Sequence, residues 1–193
     1  MSDVAAAGSA ATTRSVLPKL GVRFAVGYLI SALVLFSIYG FPFELFGARH
    51  DWLSGYLEMY AHLAGAALRC FEPGILITGN RIDGRFSLQI VRNCDAIEVN
   101  ILFVSAILAF PAPWRRRLIA LFGGLVPLVL LNILRICLLY FIGVYRQAWF
   151  AVAHEEILPL VLIACTALIF LAWARYLAPV ANGAAASGEP AAV

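Results

Sequence analysis

Four long apolar stretches constrain the fold of this chain more than any other feature. We place them near residues 23–46, 96–112, 118–144 and 157–177. A helix needs roughly 20 apolar residues to cross a hydrocarbon core of about 30 Å. Of the 193 residues, 63% are hydrophobic and 13% are charged, which differs strongly from the composition of water-soluble domains. The sequence therefore predicts an all-α polytopic membrane protein with about four transmembrane helices.

Two smaller elements are predicted between the first two stretches. In residues 51–71, polar side chains recur at helical spacing, with aromatic and aliphatic side chains on the other face. This pattern predicts an interfacial amphipathic helix lying on the membrane. The segments "ILIT" and "FSLQIV" then flank a centre rich in glycine, asparagine and aspartate, which predicts a short β-hairpin.

Basic residues predict the orientation of the chain. They form two groups beside the apolar stretches: Arg115, Arg116 and Arg117 in one short loop, and Arg14, Lys19 and Arg23 before the first stretch. Because cytoplasmic loops are enriched in lysine and arginine, both groups are expected on the cytoplasmic side. Four crossings then leave 47–94 and 145–156 outside, in a multi-pass protein of the inner (plasma) membrane.

The same boundaries predict the domain organisation. Residues 1–22 form a cytoplasmic N-terminal segment, 23–177 form one membrane-embedded domain that includes the extracytoplasmic segment 47–94, and 178–193 form a disordered tail of low complexity. The net charge of +3 is spread over loop ends and forms no patch of the kind that binds nucleic acid, so no nucleic-acid partner is expected. Membrane lipid is an expected partner because the chain is predicted to cross the membrane.

The stretch "VRNCDAIEVN" contains the first candidate for chemistry. Cys94 falls at the outer end of the second predicted helix, where Asp95 and Glu98 have the spacing of an N-terminal cap and its return partner. The free N–H groups and positive dipole end of that helix would then face the sulfur. Such a position favours the thiolate form of a cysteine.

Two further candidates are expected at the same depth. Arg135 interrupts the apolar run "LVLLNILRICLLYF", where a charge marks a site by default, and Asn132 lies one turn below on the same face. Arg135 is 18 residues beyond Arg117, which is about 27 Å of helix and brings the guanidinium near the outer boundary. His154 precedes the fourth predicted helix on that side. A thiolate, a proton carrier and a fixed cation for an oxyanion are what acyl transfer requires.

The ordered motifs "NCDAIE", "NILR" and "AHEE", within a small polytopic chain, resemble the exosortase/archaeosortase family over roughly residues 90–177. No single motif is specific to this family. The three motifs in this order, at these positions in the membrane, are a specific signal for it. The family commonly has a small residue and then glycine after the cysteine, whereas this chain has Asp95 and Ala96. Either the chain belongs to a small divergent subgroup, such as an exosortase H-like form, or its turn at Cys94 is altered.

The resemblance implies a membrane-embedded cysteine transpeptidase. Such enzymes cleave C-terminal sorting signals, made of a motif, a transmembrane helix and a basic cluster, and pass the product through a thioacyl intermediate to an acceptor nucleophile that is unknown here. Cys94 would be the nucleophile, Arg135 the oxyanion partner and His154 the proton carrier. The supporting residues that we expect around them are Asn132, Asp95, Glu98 and Glu155. No cofactor and no metal ion are expected.

Simpler interpretations remain open for these residues. Cys94 could be a small buried apolar residue, as we expect Cys137 and Cys165 to be, or it could form a disulfide with Cys70 in an oxidising compartment. Arg135 could serve only helix packing, by pairing with Glu98 or Glu155. The corresponding functions are a non-catalytic envelope assembly protein and a thiol-disulfide protein that uses Cys70 and Cys94.

Overall fold

The computed structural model describes residues 2–40, 52–91 and 96–187, and the side chains within 21–40, 54–91 and 96–178. The elements in chain order are α1 (Ser2–Gly40), α2 (Trp52–Arg69), β1 (Leu76–Thr78), β2 (Arg81–Asp83), β3 (Leu88–Gln89), α3 (Ile97–Ala109), α4 (Trp114–Tyr145), a 3-10 turn (Gln147–Trp149), α5 (Phe150–Val152), a π-helical turn (Ala153–Ile157) and α6 (Leu158–Ser187).

Three helical stretches among the described residues are long and apolar enough to cross a membrane: Gly21–Gly40, Trp114–Tyr145 and Gln147–Ala178. They correspond to the first, third and fourth predicted spans. The second predicted span is α3, whose 13 residues extend about 20 Å at 1.5 Å per residue, short of a full crossing. The all-α membrane fold is therefore confirmed, with one helix shorter than predicted.

Proline explains the early end of α3. Phe110 follows the last helical residue and has extended backbone angles, with φ −69° and ψ 131°. The residue before a proline is disfavoured in the helical region because the proline ring clashes with it, and Pro111 comes next. The apolar run continues beyond this point, but the helix does not.

The first and last helices of the chain extend beyond their apolar parts. Helix α1 begins at Ser2, inside the predicted N-terminal segment, and α6 continues to Ser187, inside the segment predicted to be disordered. Both extensions are rich in alanine, which has the highest helix propensity of the amino acids. Residues 188–193 of the predicted tail lie outside the described part of the chain.

Helix α3 packs against α1, α4 and α6. Small residues allow the close contact with α1: a Cβ atom at Gly27 would lie 3.5 Å from the Cβ atom of Ala109, and the Ser31 hydroxyl donates to the Ser105 carbonyl at 3.4 Å. These pairs show that α1 and α3 are antiparallel, so Gly40 and Ile97 lie at the same end of the molecule.

The region predicted as a hairpin is a three-stranded antiparallel sheet in the order β1-β2-β3. Its central strand comes from the segment that we predicted to be the turn. A two-residue turn at Gly79 and Asn80, with glycine at φ 58° as a type II′ turn requires, reverses the chain earlier than predicted. The Asn80 side chain then donates to the Ile90 carbonyl at 2.8 Å, which fixes the end of β3.

Helix α2 and the sheet pack together on the last third of α4, and we call them the α2–sheet unit. The buried face of α2 packs against inward-facing residues of the sheet region and of α4, and together they form one hydrophobic core cluster. The members are Leu57, Tyr60, Ala61, Ala64, Leu68, Ile75, Ile82, Leu88, Ile90, Ile136, Leu139, Tyr140 and Ala153. We call it the upper core. The α2–sheet unit is thus held against the end of α4 that lies beside the candidate site.

Candidate active site

Helix α4 presents one buried face, and the two polar candidates of this helix lie on it. Asn132 is fully buried and Arg135 is 6% exposed. They are three residues apart, so their side chains lie one above the other on this face. A buried guanidinium requires polar partners, because the charge is strongly disfavoured in an apolar environment without them.

Arg135 reaches the segment that carries His154. Its Nη2 atom donates to the His154 carbonyl oxygen at 3.5 Å, which is a long hydrogen bond. This contact joins α4 to the turn before α6. The structure thus brings two of the predicted site residues together, and the atom that joins them is a backbone oxygen of His154.

His154 lies in the π-helical turn. At its end, the Leu158 N–H donates to the Ala153 carbonyl, five residues earlier, in place of the usual four. Single π turns inside helices often occur at functional sites. The sequence predicts His154 just before a helix start, but its pattern does not indicate the π turn.

A stack of aromatic rings holds the half-buried His154 imidazole. The imidazole stacks on Phe150 at 5.9 Å between ring centroids, with 3° between the planes. Phe150 in turn lies 5.2 Å from the ring of Phe86, in the loop between β2 and β3. Phe86 fits over Gly143, where an added Cβ atom would lie 2.5 Å from the Phe86 ring.

Sequence reasoning missed Phe86 and Phe150. The available signal was weak: an isolated glycine in an apolar helix, here Gly143, indicates a close approach of another group. Aromatic residues near helix ends are also common in membrane proteins for reasons unrelated to catalysis. The two phenylalanines link the α2–sheet unit to the candidate proton carrier.

Cys94 and Asp95 fall in the segment 92–95, which lies outside the described residues. The structure describes the residues on either side. The Ile90 N–H donates to the Asn80 carbonyl at 2.9 Å, and the Ile90 carbonyl accepts from the Asn80 side-chain amide. On the other side, Ala96 leads into α3.

The start of α3 meets the other two motif segments at the upper core. Ile97 packs against this cluster, and Ile136 and Ala153 are members of it. Ile136 follows Arg135 directly, and Ala153 precedes His154 directly. All three segments that carry a motif therefore contact one continuous patch of packed side chains.

The predicted cap of α3 is wrong in one respect. The helix begins at Ile97 with Ala96 in the N-cap position, and alanine has no side-chain oxygen to accept a capping hydrogen bond. Asp95 is therefore not the N-cap, because the chain enters the helix through a left-handed residue: Ala96 has φ 56° and ψ 13°. This is the backbone region that glycine favours. It is also the position at which the resembling family commonly has glycine.

The two predicted supporting carboxylates that the structure describes lie on the surface. Glu98, in the first turn of α3, and Glu155, in the π turn, are both exposed. Among the described cysteines, Cys70 is an exposed free thiol, whereas Cys137 and Cys165 are half-buried in helices. Within the described residues, no group of three or more histidine, cysteine, aspartate and glutamate side chains is arranged to hold a metal ion.

Comparison with known proteins agrees with the motifs. Neither a curated protein nor a solved structure was found to match the chain. A family profile described as "Transmembrane exosortase (Exosortase_EpsH)" matches residues 4–182, which is nearly the whole chain. The chain therefore belongs to the transmembrane exosortase family.

Proposed function

We propose that this protein is a membrane-embedded cysteine transpeptidase that cleaves C-terminal sorting signals of exported proteins at the extracytoplasmic face of the inner (plasma) membrane. The main support is the meeting of three motif segments at the upper core, through Ile97, Ile136 and Ala153. The membership in the exosortase family supports the same reaction class.

The proposed reaction begins when His154 accepts the proton of the Cys94 thiol. The thiolate attacks a peptide carbonyl in the substrate, and the resulting oxyanion is stabilised by Arg135. Collapse of this intermediate breaks the C–N bond, and His154 returns the proton to the leaving amine. The C–S bond remains as a thioacyl enzyme, which an acceptor amine on a lipid or polysaccharide, or water, resolves.

The burial of Arg135 supports its role in this scheme. A charge acts more strongly on a developing oxyanion where water is excluded, and this side chain is 6% exposed. Its hydrogen bond to the His154 carbonyl restricts the orientation of the guanidinium before the substrate arrives. Removal of one oxyanion donor commonly lowers kcat by about 100- to 1,000-fold, which is the effect expected for Arg135→Ala.

The substrate's own transmembrane helix is proposed to lie beside α3 and α4, which would hold the scissile bond at the depth of the site. Two exposed positions suit a photo-crosslinking amino acid, Leu102 on α3 and Leu134 on α4, which are 39% and 53% exposed. Leu33 on α1, 70% exposed, is the matched control. Crosslinks formed mainly from Leu33 would place the substrate elsewhere.

Two single cysteine replacements test the function. Cys94→Ala and Cys70→Ala are compared by following, on blots, envelope proteins that carry a C-terminal helix and a basic tail. Only Cys94→Ala should leave uncleaved precursor. A requirement for both cysteines, with a trappable mixed disulfide, would favour the thiol-disulfide protein. Unchanged function with either replacement would favour the assembly protein.

A further inference from the structure

Strand β3 is an edge strand of the sheet. The strand order is β1-β2-β3, so β3 pairs with β2 on one side, and no strand among the described residues pairs with its other side. We call this other side the outer edge of β3. A strand edge carries backbone N–H and C=O groups that can pair with another chain, and extended peptides often bind proteins by adding a strand there. The outer edge is therefore a candidate binding site for a peptide.

The register shows which backbone groups point to the outer edge. Arg81 lies opposite Gln89, and in the next pair the Ile90 N–H donates to the Asn80 carbonyl at 2.9 Å. In an antiparallel pair, residues that bond to the partner strand alternate with residues whose N–H and C=O point away from it. The backbone groups of Leu88 and Ile90 thus face β2, whereas those of Gln89 point to the outer edge.

The inward side chains of β3 place this strand beside the candidate site. Leu88 and Ile90 are 5% and 1% exposed and are members of the upper core. The same core contains the residue after Arg135 and the residue before His154. A peptide that pairs with β3 would therefore join the sheet next to the core on which the motif segments meet.

Strand β3 is also the strand that leads into the segment of the proposed nucleophile. Cys94 follows Gln89 by five residues in the sequence, and Ile97, on the other side of that segment, packs against the upper core. The edge strand β1 packs instead on α2, since a Cβ atom at Gly65 would lie 2.5 Å from the Cδ1 atom of Ile77. Of the two edges of the sheet, the edge of β3 thus belongs to the strand that continues into the candidate site.

We infer that the outer edge of β3 binds the extended segment of the substrate beside the scissile bond, which joins the sheet as a fourth strand. This binding mode rests on the proposed function, because it requires a peptide substrate that reaches Cys94. Backbone hydrogen bonds to Gln89 hold the peptide extended, and its side chains alternate between the two faces of the sheet. Such binding accepts many sequences, since every residue except proline offers the same backbone groups.

A backbone ester tests the hydrogen bond from Gln89. Gln89→Ala is compared with a protein that carries lactic acid, the α-hydroxy analogue of alanine, at residue 89 by nonsense suppression. The two proteins differ in that an oxygen atom replaces the outward N–H. For an envelope protein with a C-terminal helix and a basic tail, the ester should lower kcat/KM of cleavage by about 2- to 10-fold, as loss of one hydrogen bond does.

The edge of β1 provides the matched control for the ester. The N–H of Ile77 points away from β2, because its partner Ile82 lies opposite Leu88 and bonds to β3. Ile77→Ala and its lactic acid counterpart should have the same kcat/KM. Equal values for Gln89→Ala and its ester, or an equal loss with the ester at residue 77, would overturn the inference.

Disulfide crosslinking tests the strand pairing without turnover. Val91→Cys, at a residue that is 42% exposed, is combined with Cys70→Ala and Cys94→Ala. Single cysteines are then moved through the substrate segment that precedes its membrane helix. Crosslinks should form at alternate substrate positions, because neighbouring residues of a strand lie on opposite faces of the sheet.

Leu76→Cys on β1, at a residue that is 68% exposed, is the control for this measurement and should give few crosslinks. Crosslinks without a period of two residues, or equally many from Leu76→Cys, would contradict the added strand. Alternate crosslinks from Val91→Cys, together with a parent protein that lacks transpeptidase activity, would support the binding site and reject the proposed function alone.

Discussion

The left-handed backbone at Ala96 is the residue-scale feature that bears most directly on the turn after Cys94. An L-residue in this region costs about 1 kcal/mol relative to glycine, since its Cβ atom crowds the neighbouring carbonyl. Ala96 has φ 56° and is 8% exposed. The backbone of Ala96 therefore has a conformation that suits glycine.

Ala96→Gly should consequently stabilise the protein. We expect the free energy of unfolding in detergent to rise by about 1 kcal/mol, because the strain at positive φ is removed. Ala106→Gly, in the interior of α3, is the matched control and should lower it by about 1 kcal/mol or more, since glycine weakens a helix interior. A destabilising effect at both positions would show that Ala96 is not strained.

Phe150 is predicted to orient the proton carrier through its stack on His154. Phe150→Leu removes the ring, and an aromatic pair contributes about 0.5–1.5 kcal/mol beyond its buried area, so the turnover rate should fall roughly 2- to 10-fold. Phe150→Tyr keeps the stack and should keep the rate. Phe170→Leu on α6, which packs in a separate cluster, is the control for loss of a phenylalanine.

Residue types point to some members of the candidate site and not to others, for a physical reason. Arg135 and Asn132 are predicted from the sequence because a charge and an amide inside an apolar run have few structural explanations. Phe86 and Phe150 were not, because a phenylalanine fits equally well in a core, in a site or at a membrane boundary. Their role depends on which rings they contact, and that is a property of the folded chain.

At the scale of elements, Tyr140 fastens the α2–sheet unit to α4. Its hydroxyl donates to the Glu72 carboxylate at 2.9 Å and accepts the Arg85 N–H at 2.9 Å, while its ring is fully buried. These bonds join the loops before β1 and after β2 to the helix that carries Arg135. They therefore couple the position of the sheet to the position of the site.

Tyr140→Phe should loosen this attachment. The replacement removes both hydrogen bonds of the hydroxyl, but the Arg85 N–H keeps its 3.2 Å hydrogen bond to the Glu72 carboxylate, so the expected loss is about 1 kcal/mol. Hydrogen exchange of the backbone amides in 72–91 should then be faster than in the parent protein, with α1 unchanged. Tyr176→Phe on α6, where the tyrosine is 43% exposed, is the control. Equal exchange in all three proteins would mean that Tyr140 does not hold the unit.

The ends and irregularities of elements were harder to predict than the elements themselves. Hydropathy identified α1, α4 and α6 because their apolar composition is continuous over the required length. The end of α3 is determined by the clash between the ring of Pro111 and a helical backbone at Phe110. The third strand exists because the chain reverses early, in the turn at Gly79. The π turn, Ala153–Ile157, is a single irregular turn between two helical segments, and hydrophobic periodicity does not resolve one such turn.

At the scale of the whole molecule, the candidate site lies at one end of the bundle. The end of α1, the start of α3, the end of α4 and the π turn all lie there, together with the α2–sheet unit. The basic residues Arg115, Arg116 and Arg117, which we predicted to lie in a loop, are in the first turn of α4, at the other end of the bundle. This separation is what the proposed orientation requires, with the site outside and these arginines in the cytoplasm.

Thiol labelling of intact cells tests that orientation. In a Cys94→Ala background, the exposed Cys70 should react with a membrane-impermeant maleimide. Cys70→Ala in the same background gives the unlabelled reference. Trp114→Cys is added to that reference, at the first residue of α4, which is 53% exposed, and should react only after permeabilisation. The reverse labelling pattern would place the site in the cytoplasm.

The central claim, that Cys94 forms a thioacyl intermediate beside Arg135 and His154, is tested most directly by mass spectrometry of the enzyme during turnover. The peptide that contains Cys94 should carry a substrate-derived adduct that hydroxylamine removes, and the adduct should be lost in Cys94→Ala and strongly reduced in Arg135→Ala. Arg175→Ala on α6 should retain it. Substrate cleavage that proceeds in the Cys94→Ala variant, with no adduct in the parent enzyme, would contradict the claim.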